Sequence, residues 1–369
     1  MRVVIVSKAF MRATYHRKLE EMARTGGLDL TLLTPASWRD GKIRVGLEKS
    51  SGFGYAVRVT PILFNGAFHW HFYPRLASLL RELRPDVVHV DEEPYNLATW
   101  LGMRAARGIN AARLFFTWQD LYKRYPLPFS RLEADSYCLC DGAIAGIPDA
   151  GDVLRKKGFK KPIWIIPQFG TDPDVFCPRD RQVDDVFRIG YVGRLVSAKG
   201  IDLLLRAARE LPGRWHVQLV GSGEARGALE RLATDLDLSD RVEFRGDVPS
   251  GAIPALMNQL DVLVLPSRTT PAWREQFGRV LIEAMASGVA VVGSSSGQIP
   301  YVIGEAGLIF PEGNESALAE QLSVLQRDSE LRRDLAERGR RRVLDNFTQQ
   351  KVAEQTVAVY RALVNAKPQ

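Results

Sequence analysis

The sequence predicts an α/β protein made of two doubly wound domains, each with a parallel sheet covered by helices. Three observations carry this. Short β-branched runs alternate with longer amphipathic segments, the pattern of strand–helix–strand units. The alternation occurs twice, on either side of the Pro- and Asp-rich stretch Pro167–Pro178. At 369 residues the chain is long enough for two full cores.

In the first half, Met1–Ser7 reads as a buried strand, because its apolar run is too short for a signal peptide. A helix over Tyr15–Arg24 and a strand over Leu28–Leu33 follow. The pattern continues with a helix near Pro74–Leu83, a strand Asp86–Val90, a helix Asn96–Arg107 and a strand Arg113–Thr117. Arg131–Cys140 is then helical, and Gly142–Ala145 and Ile163–Ile166 are strands. Pro167–Pro178 is the exit to a linker. The second round has strands at Phe187–Val192, Trp215–Val220, Val242–Phe244, Val262–Leu265 and Val289–Val292. Helices fall at Ile201–Arg209, Ala225–Leu236, Ala255–Leu260 and Val280–Ala286, and a last helix at Thr348–Val364. The expected division is 1–180 with 348–369 against 181–347.

Apolar residues make up 46% and charged residues 25%, ordinary values for a globular protein. Cys138, Cys140 and Cys177 cannot all pair and do not form a metal-ligand set, so buried thiols in a reducing, cytoplasmic setting are expected. No run approaches the roughly 18 apolar residues of a membrane span. Residues 1–180 hold 26 Lys/Arg against 19 Asp/Glu, whereas 181–369 hold 24 of each. The excess includes Arg155-Lys-Lys157 with Lys160-Lys161. Two readings fit it equally: a soluble basic surface, or a side facing an anionic membrane or acidic glycan. Nucleic acid is not expected, because the clusters are short and no nucleic-acid module accompanies them.

The most informative stretch is Trp273–Gly288. Glu275 and Glu283 lie eight positions apart. Phe277-Gly278 turns a loop into a helix, with Glu275 before it and Glu283 roughly two turns in. A helix N-terminus suits phosphate, and a carboxylate on an apolar helix needs donors such as ribose hydroxyls. The stretch therefore reads as a clamp: Glu275 for a sugar, the amides for phosphate, Glu283 for ribose. Arg194 and Lys199 follow a strand directly, where two cations can neutralise a leaving diphosphate. Gly221-Ser-Gly-Glu-Ala-Arg-Gly227 mimics a dinucleotide fingerprint, but its spacing is wrong and it does not begin its domain, so it reads as a tight turn near the nucleotide.

The eight-residue glutamate spacing resembles the signature of retaining glycosyltransferases with the GT-B fold, in particular glycosyltransferase family 4. Gly193-Arg-Leu-Val-Ser-Ala-Lys-Gly200, Leu219-Val-Gly-Ser-Gly-Glu224, Phe244-Arg-Gly-Asp-Val248, Val264-Leu-Pro-Ser267 and Gly297-Gln-Ile-Pro300 fall in that family's order. The resemblance is dense in the second half and thin in the first. It implies two Rossmann-like domains facing a cleft, with the last helix crossing back to the first domain. It implies Glu275, Arg194 and Lys199 as catalytic residues. Gly193, Ser222, Gly223, Val248, Phe277, Gly278, Arg279, Val280 and Glu283 would bind the donor. No metal or other cofactor is expected; a UDP- or GDP-linked sugar is a substrate, and the acceptor is a glycan, lipid-linked or small molecule.

The first half departs from the family. Lys8–Tyr15 has no glycine where members carry a pair, and Thr117-Trp-Gln-Asp120 places Gln119 at a histidine position. Gln119 could hold a sugar hydroxyl; Asp120 fits either a catalytic helper or a helix N-cap. Glu92 and Glu93 of Asp91-Glu-Glu-Pro94 fit either an acceptor site or a solvated acidic loop. The aromatic run Phe64–Tyr73 fits core packing better than sugar stacking or membrane contact. Other GT-B enzymes, such as a phosphorylase or sugar-nucleotide epimerase, and a non-catalytic binding protein remain alternatives.

Overall fold

The computed structural model describes residues 1–41, 43–48, 54–180 and 184–366. The chain forms two compact units, one of Met1–Gly170 with Gln349–Gln369 and one of Thr171–Thr348. The division thus falls upstream of the 180/181 boundary read from the sequence. The reason is local: the Thr171 N–H donates to the Phe347 carbonyl at 2.8 Å, and Thr171 bridges Thr348, so the predicted linker already belongs to the second unit. Residue 181, and residues 367–369 of the expected C-terminal segment, lie outside the described residues.

The first unit runs β1 (Arg2–Val6), α1 (Ala13–Arg24), β2 (Asp29–Thr34), β3 (Ser37–Asp40), β4 (Ile43–Gly46), β5 (Ala56–Val59), α2 (Leu76–Leu83) and β6 (Val87–Val90). It continues with α3 (Leu97–Arg107), β7 (Ala112–Thr117), α4 (Phe129–Leu139), β8 (Gly142–Ala145), α5 (Pro148–Lys156) and β9 (Ile163–Ile165). Seven strands make a parallel sheet in the order β5-β2-β1-β6-β7-β8-β9, and β3 and β4 form an antiparallel ribbon beside it. Period-two alternation sorts the side chains between two faces. Val3, Ile5, Leu30 and Leu32 pack with Leu19 and Met22 of α1. Val4, Val6, Leu33, Val88 and Val90 pack with Leu80 of α2 and Met103 of α3.

Four elements here escape the sequence reading. The edge strand β5 is exposed along its length, and the ribbon strands have few buried residues, so no alternation marks them. α5 is masked by Gly151, a poor helix former, which lies close against β9: a Cβ there would come within 2.9 Å of Ile165.

The second unit runs β10 (Phe187–Val192), α6 (Ile201–Arg209), β11 (Trp215–Val220), α7 (Arg226–Asp235), β12 (Val242–Gly246), α8 (Ile253–Met257) and β13 (Val262–Leu265). Then come α9 (Arg279–Ala286), β14 (Ala290–Ser294), α10 (Ile299–Ile303), β15 (Leu308–Phe310), α11 (Glu315–Arg327) and α12 (Ser329–Asn346). Its parallel sheet has the order β12-β11-β10-β13-β14-β15. The order reverses direction between β10 and β13, so the loops after these strands diverge at a topological switch point, where doubly wound sheets hold their ligands. The elements from α10 to α12 are absent from the sequence reading. α12 is polar nearly all round, burying Leu335, Gly339 and Val343. Its start, and that of α11, were legible in the N-caps. Asn314 Oδ1 accepts from Ala317 N at 3.0 Å, and Asp328 Oδ1 from Leu331 N at 2.8 Å.

The last helix, α13 (Gln349–Asn365), belongs to the first unit. Val357, Tyr360 and Leu363 complete the face that α1 covers. Among the described residues no helix is long and apolar enough to cross a membrane. Burial holds His89 of β6 neutral, its pKa lowered to about 3. His89 Nδ1 and the Tyr360 hydroxyl share a hydrogen bond at 2.7 Å. Tyr360→Phe strands that nitrogen in the core and should cost about 1–3 kcal/mol. Urea unfolding reads the loss; a midpoint equal to that of the parent chain would show that the bond contributes nothing net.

Candidate active site

In the second unit three strand-end loops are laced together by main-chain bonds. Gly193 N–H donates to Val220 O at 2.9 Å, Leu195 N–H to Ser222 O at 2.7 Å, and Gly221 N–H to Gly246 O at 2.7 Å. Gly221 has φ +135°, and a Cβ there would lie 2.0 Å from the Gly193 carbonyl, so a side chain would push the loops apart. Gly223 is equally close to the Leu195 carbonyl, at 2.2 Å. Ser222 Oγ donates to Asp247 Oδ2 at 2.7 Å, next to the half-buried Val248. Arg194 is exposed, and among the described residues its guanidinium makes no ion pair. Its carbonyl accepts from the buried Tyr191 hydroxyl at 2.8 Å, which fixes the loop's backbone.

Lys199 ends a single 3₁₀ turn, Ser197–Lys199. Its Nζ lies 2.5 Å from Glu275 Oε2, which also accepts from Ser267 Oγ at 2.8 Å. The ammonium stands 4.9 Å from the centre of the Trp273 ring. Gln298 N–H donates to the Glu275 carbonyl at 2.9 Å, so side chain and main chain of Glu275 are both held. Such a pair adds little net stability, because desolvation offsets the Coulomb gain; its effect is to fix two charges in place. The charge of Lys199 is shared with Glu275, while that of Arg194 is uncompensated.

The turn into α9 is made by Gly278, at φ +70°, where a Cβ would meet Leu265 at 2.8 Å. α9 begins at Arg279, so Glu283 sits just past its first turn rather than two turns in, because the loop runs three residues beyond Glu275 before the helix starts. Burial raises the Glu283 carboxyl above the usual carboxylate range, and Arg279, with Nε 3.2 Å from Glu283 Oε1, opposes that. Val280 is half-buried on the same first turn. Phe277 is different: its ring is buried edge-on against Phe347, 5.7 Å between centres, so its side chain is packing and only its main chain can serve a ligand.

The first unit gathers its acids at the end of β6, and they are not a solvated loop. Glu92 is buried and pairs with Lys8 Nζ, with His71 Nε2 3.4 Å away. Lys8 lies 5.1 Å from the Trp38 ring and 4.8 Å from that of Phe68. Burial is the largest single effect on Glu92 and pushes its carboxyl up, but Lys8 and His71 together overcome it and hold the pKa at about 2. Glu93 accepts from Thr117 Oγ1 at 2.6 Å and from Trp118 N at 2.8 Å, and desolvation lifts its pKa to about 7. Gln119 Oε1 accepts from Lys157 Nζ at 3.0 Å, and Lys157 pairs with Glu133 at 2.7 Å. Asp120 is buried in the loop after β7; it is no helix cap, since α4 begins at Phe129. The aromatic run divides: Tyr73 is core, whereas Phe64, Phe68 and Trp70 are exposed. The basic cluster is also partly structural. Arg155 donates to the carbonyls of Phe159 and Lys161, and Lys161 to those of Cys138 and Cys140, so with Lys157 three of its five cations serve the fold.

The structure thus joins Lys199 with Glu275 and Arg279 with Glu283, and interlocks Gly193, Ser222 and Gly223. The sequence reading did not single out Ser267, Trp273 or Asp247. The first two end and begin runs already quoted, and Asp247 precedes Val248. Lys8, the partner of Glu92, had only its strand-end position to mark it.

Glu93 is protonated in both folded and unfolded chains below about pH 4.5, and the unfolded chain ionises first as pH rises. Its contribution to stability therefore falls between the ordinary carboxylate pKa and about 7, and levels off above. Glu93→Gln should accordingly gain stability relative to the parent across that window. Urea titrations at the two ends check this; a constant difference would overturn it.

Residues 13–175 match the family model described as Glycosyltransferase Family 4, and residues 179–342 that described as Glycosyl transferases group 1. The chain is 34% identical over 217 residues to "MMP alpha-(1->4)-mannosyltransferase" of Mycolicibacterium hassiacum, covering 57% of this chain and 51% of that one. It is 30% identical over 233 residues to "Lipopolysaccharide core biosynthesis glycosyltransferase LpsE" of Rhizobium meliloti, covering 62% and 65%. The chain therefore spans about half to two-thirds of these relatives' lengths. Among solved structures, a sucrose-phosphate synthase from Thermosynechococcus elongatus superimposes with a TM-score of 0.75 at 23% identity, both chains being covered fully. Anabaena HepE in complex with UDP gives 0.74 at 17% identity, with 98% and 100% covered.

Proposed function

The chain belongs to the family 4, group 1 glycosyltransferases of GT-B fold, and from that premise we propose that it is a retaining hexosyltransferase using a UDP- or GDP-linked sugar. The observation that carries this is the Lys199–Glu275–Ser267 constellation at the strand ends that hold the Gly193 and Gly221 loops. The amides of Gly193 and of the first turn of α9, with Arg194, receive the diphosphate. Glu283 takes the ribose, displacing Arg279, and Glu275 holds the transferred sugar. Val248 lies against the base.

In the reaction, the acceptor hydroxyl attacks the anomeric carbon on the face from which the diphosphate departs. The C–O bond to phosphate breaks, the glycosidic bond forms, and the acceptor proton passes to a phosphate oxygen. No protein base is needed, which accommodates Gln119 at the histidine position. Arg194 and Lys199 neutralise the leaving diphosphate without a metal ion. The acceptor is a hydroxyl of a glycan, lipid-linked or small molecule, met by Gln119, Asp120 and the Glu92–Glu93 segment of the first unit. Product analysis with UDP- and GDP-hexoses tests the reading. A glycoside with the donor's anomeric configuration supports it, and an inverted product refutes it.

Glu275→Gln should chiefly lower kcat, and Glu283→Ala chiefly raise the donor KM, because the first touches the reacting sugar and the second the ribose. Near-parent kinetics in both variants would remove the assignment. Arg194→Ala or Lys199→Ala should cost roughly two orders of magnitude in kcat, while EDTA costs little. Activity abolished by EDTA and restored by Mg2+ or Mn2+ would transfer leaving-group stabilisation to a metal.

A further inference from the structure

The second unit has another pocket, at the opposite end of its sheet. It lies against the starts of β13 and β14, whereas the Gly193, Ser267 and Ser295 loops follow strand ends. Its volume is about 440 Å³, within the range of small-molecule sites. Leu260, Val289 and Ala290 give it an apolar wall. Around the wall stand Arg179, Arg332, Arg333 and Arg340, against two acids, Asp261 and Glu337. Asp261 is taken: Arg332 lies 3.5 Å from it, and the Arg188 N–H donates to it at 2.8 Å. Among the described residues, Arg179, Arg333 and Arg340 make no ion pair, and Glu337 is the single acid left to them.

Three guanidiniums with one acid among them surround a single apolar-walled cavity, an excess of positive charge that attracts an anion there. One of the three is aimed by the fold: Arg340 donates to the Ala286 carbonyl, the last of α9, which anchors its guanidinium at the pocket's edge. Arginine forks match the oxygens of phosphate, and a dianion answers an excess of two positive charges better than a monoanion. The wall would be wasted on bare phosphate. We propose that this pocket is a binding site for a small molecule bearing a phosphate monoester on an apolar or aromatic body. It is independent of the donor site, and its occupant would rest on the C-terminal end of α9, the helix whose first turn carries Arg279 and Glu283.

Phenyl phosphate and inorganic phosphate are the probes, titrated calorimetrically into the full chain, with hydrogen–deuterium exchange to locate them. Phenyl phosphate should bind more tightly and protect residues 286–290 and 329–340. Replacing Arg179 and Arg333 together by Ala should weaken it by about tenfold or more, as loss of charge-assisted bonds does. Both side chains are exposed, so the fold should tolerate the change, and an unchanged melting temperature checks that it does. Arg341→Ala, exposed on the same helix but outside the pocket, should leave the affinity unaltered. Protection confined to residues 193–200 and 221–224, equal affinity in the double variant, or inorganic phosphate binding as tightly as phenyl phosphate would each overturn the proposal.

Discussion

A buried carboxylate in a strand-end loop needs a partner, and for Glu275 that partner is Lys199. The pair Lys199–Glu275 joins positions 76 residues apart in sequence. Much of the second unit's site follows from it. Lys199 reaches Glu275 because a 3₁₀ turn ends β10's loop beside the loop after β13. Ser267 and Gln298 complete the hydrogen bonds of Glu275 from the β13 and β14 ends. Strands adjacent in the sheet but distant in sequence thus converge on one carboxylate. An arrangement assembled in advance needs little reorganisation when charge develops nearby.

The first unit solves a similar problem differently. Asp91, Glu92 and Glu93 leave the sheet centre together, and each is answered by another element: Ser7 and Gln168 for Asp91, Lys8 for Glu92, Thr117 and Trp118 for Glu93. Desolvation pushes all three upward, but the outcomes split. Asp91 rises to about 6 and Glu93 to about 7, while Glu92, with a cation in contact, falls to about 2. Glu92 is thereby ionised at a pH where its two neighbours stay protonated.

Both sheets were legible wherever strands are buried on both faces and read as short continuous apolar runs, as in Arg2–Val6 or Val262–Leu265. The reading failed where burial is partial. β5 exposes every residue, and α12 buries three of eighteen, so hydrophobic pattern could not reveal them. In the site, spacing marked Glu275 and Glu283, and glycines marked the loops. What spacing cannot convey is partnership. Nothing in the sequence links Lys199 to Glu275, Lys8 to Glu92 or Lys157 to Gln119, since each pairing depends on strand order. For the same reason Lys157 counted as surface charge in the sequence and proves to be an internal tie. Phe277 shows the converse: its place in the signature suggested ligand contact, and its ring is packing, which leaves that contact to its main chain.

The return of α13 to the first unit has a consequence for biosynthesis. One face of that unit's sheet lacks Val357, Tyr360 and Leu363 until residues 349–365 have left the ribosome. The bond from Tyr360 to His89 spans 271 residues. The second unit, contiguous from Thr171 to Thr348, has all its segments available first. The first unit, begun before the second, is therefore the one that finishes folding last, with an apolar sheet face open while the whole second unit is made. During that interval the nascent chain carries an apolar groove shaped for α13.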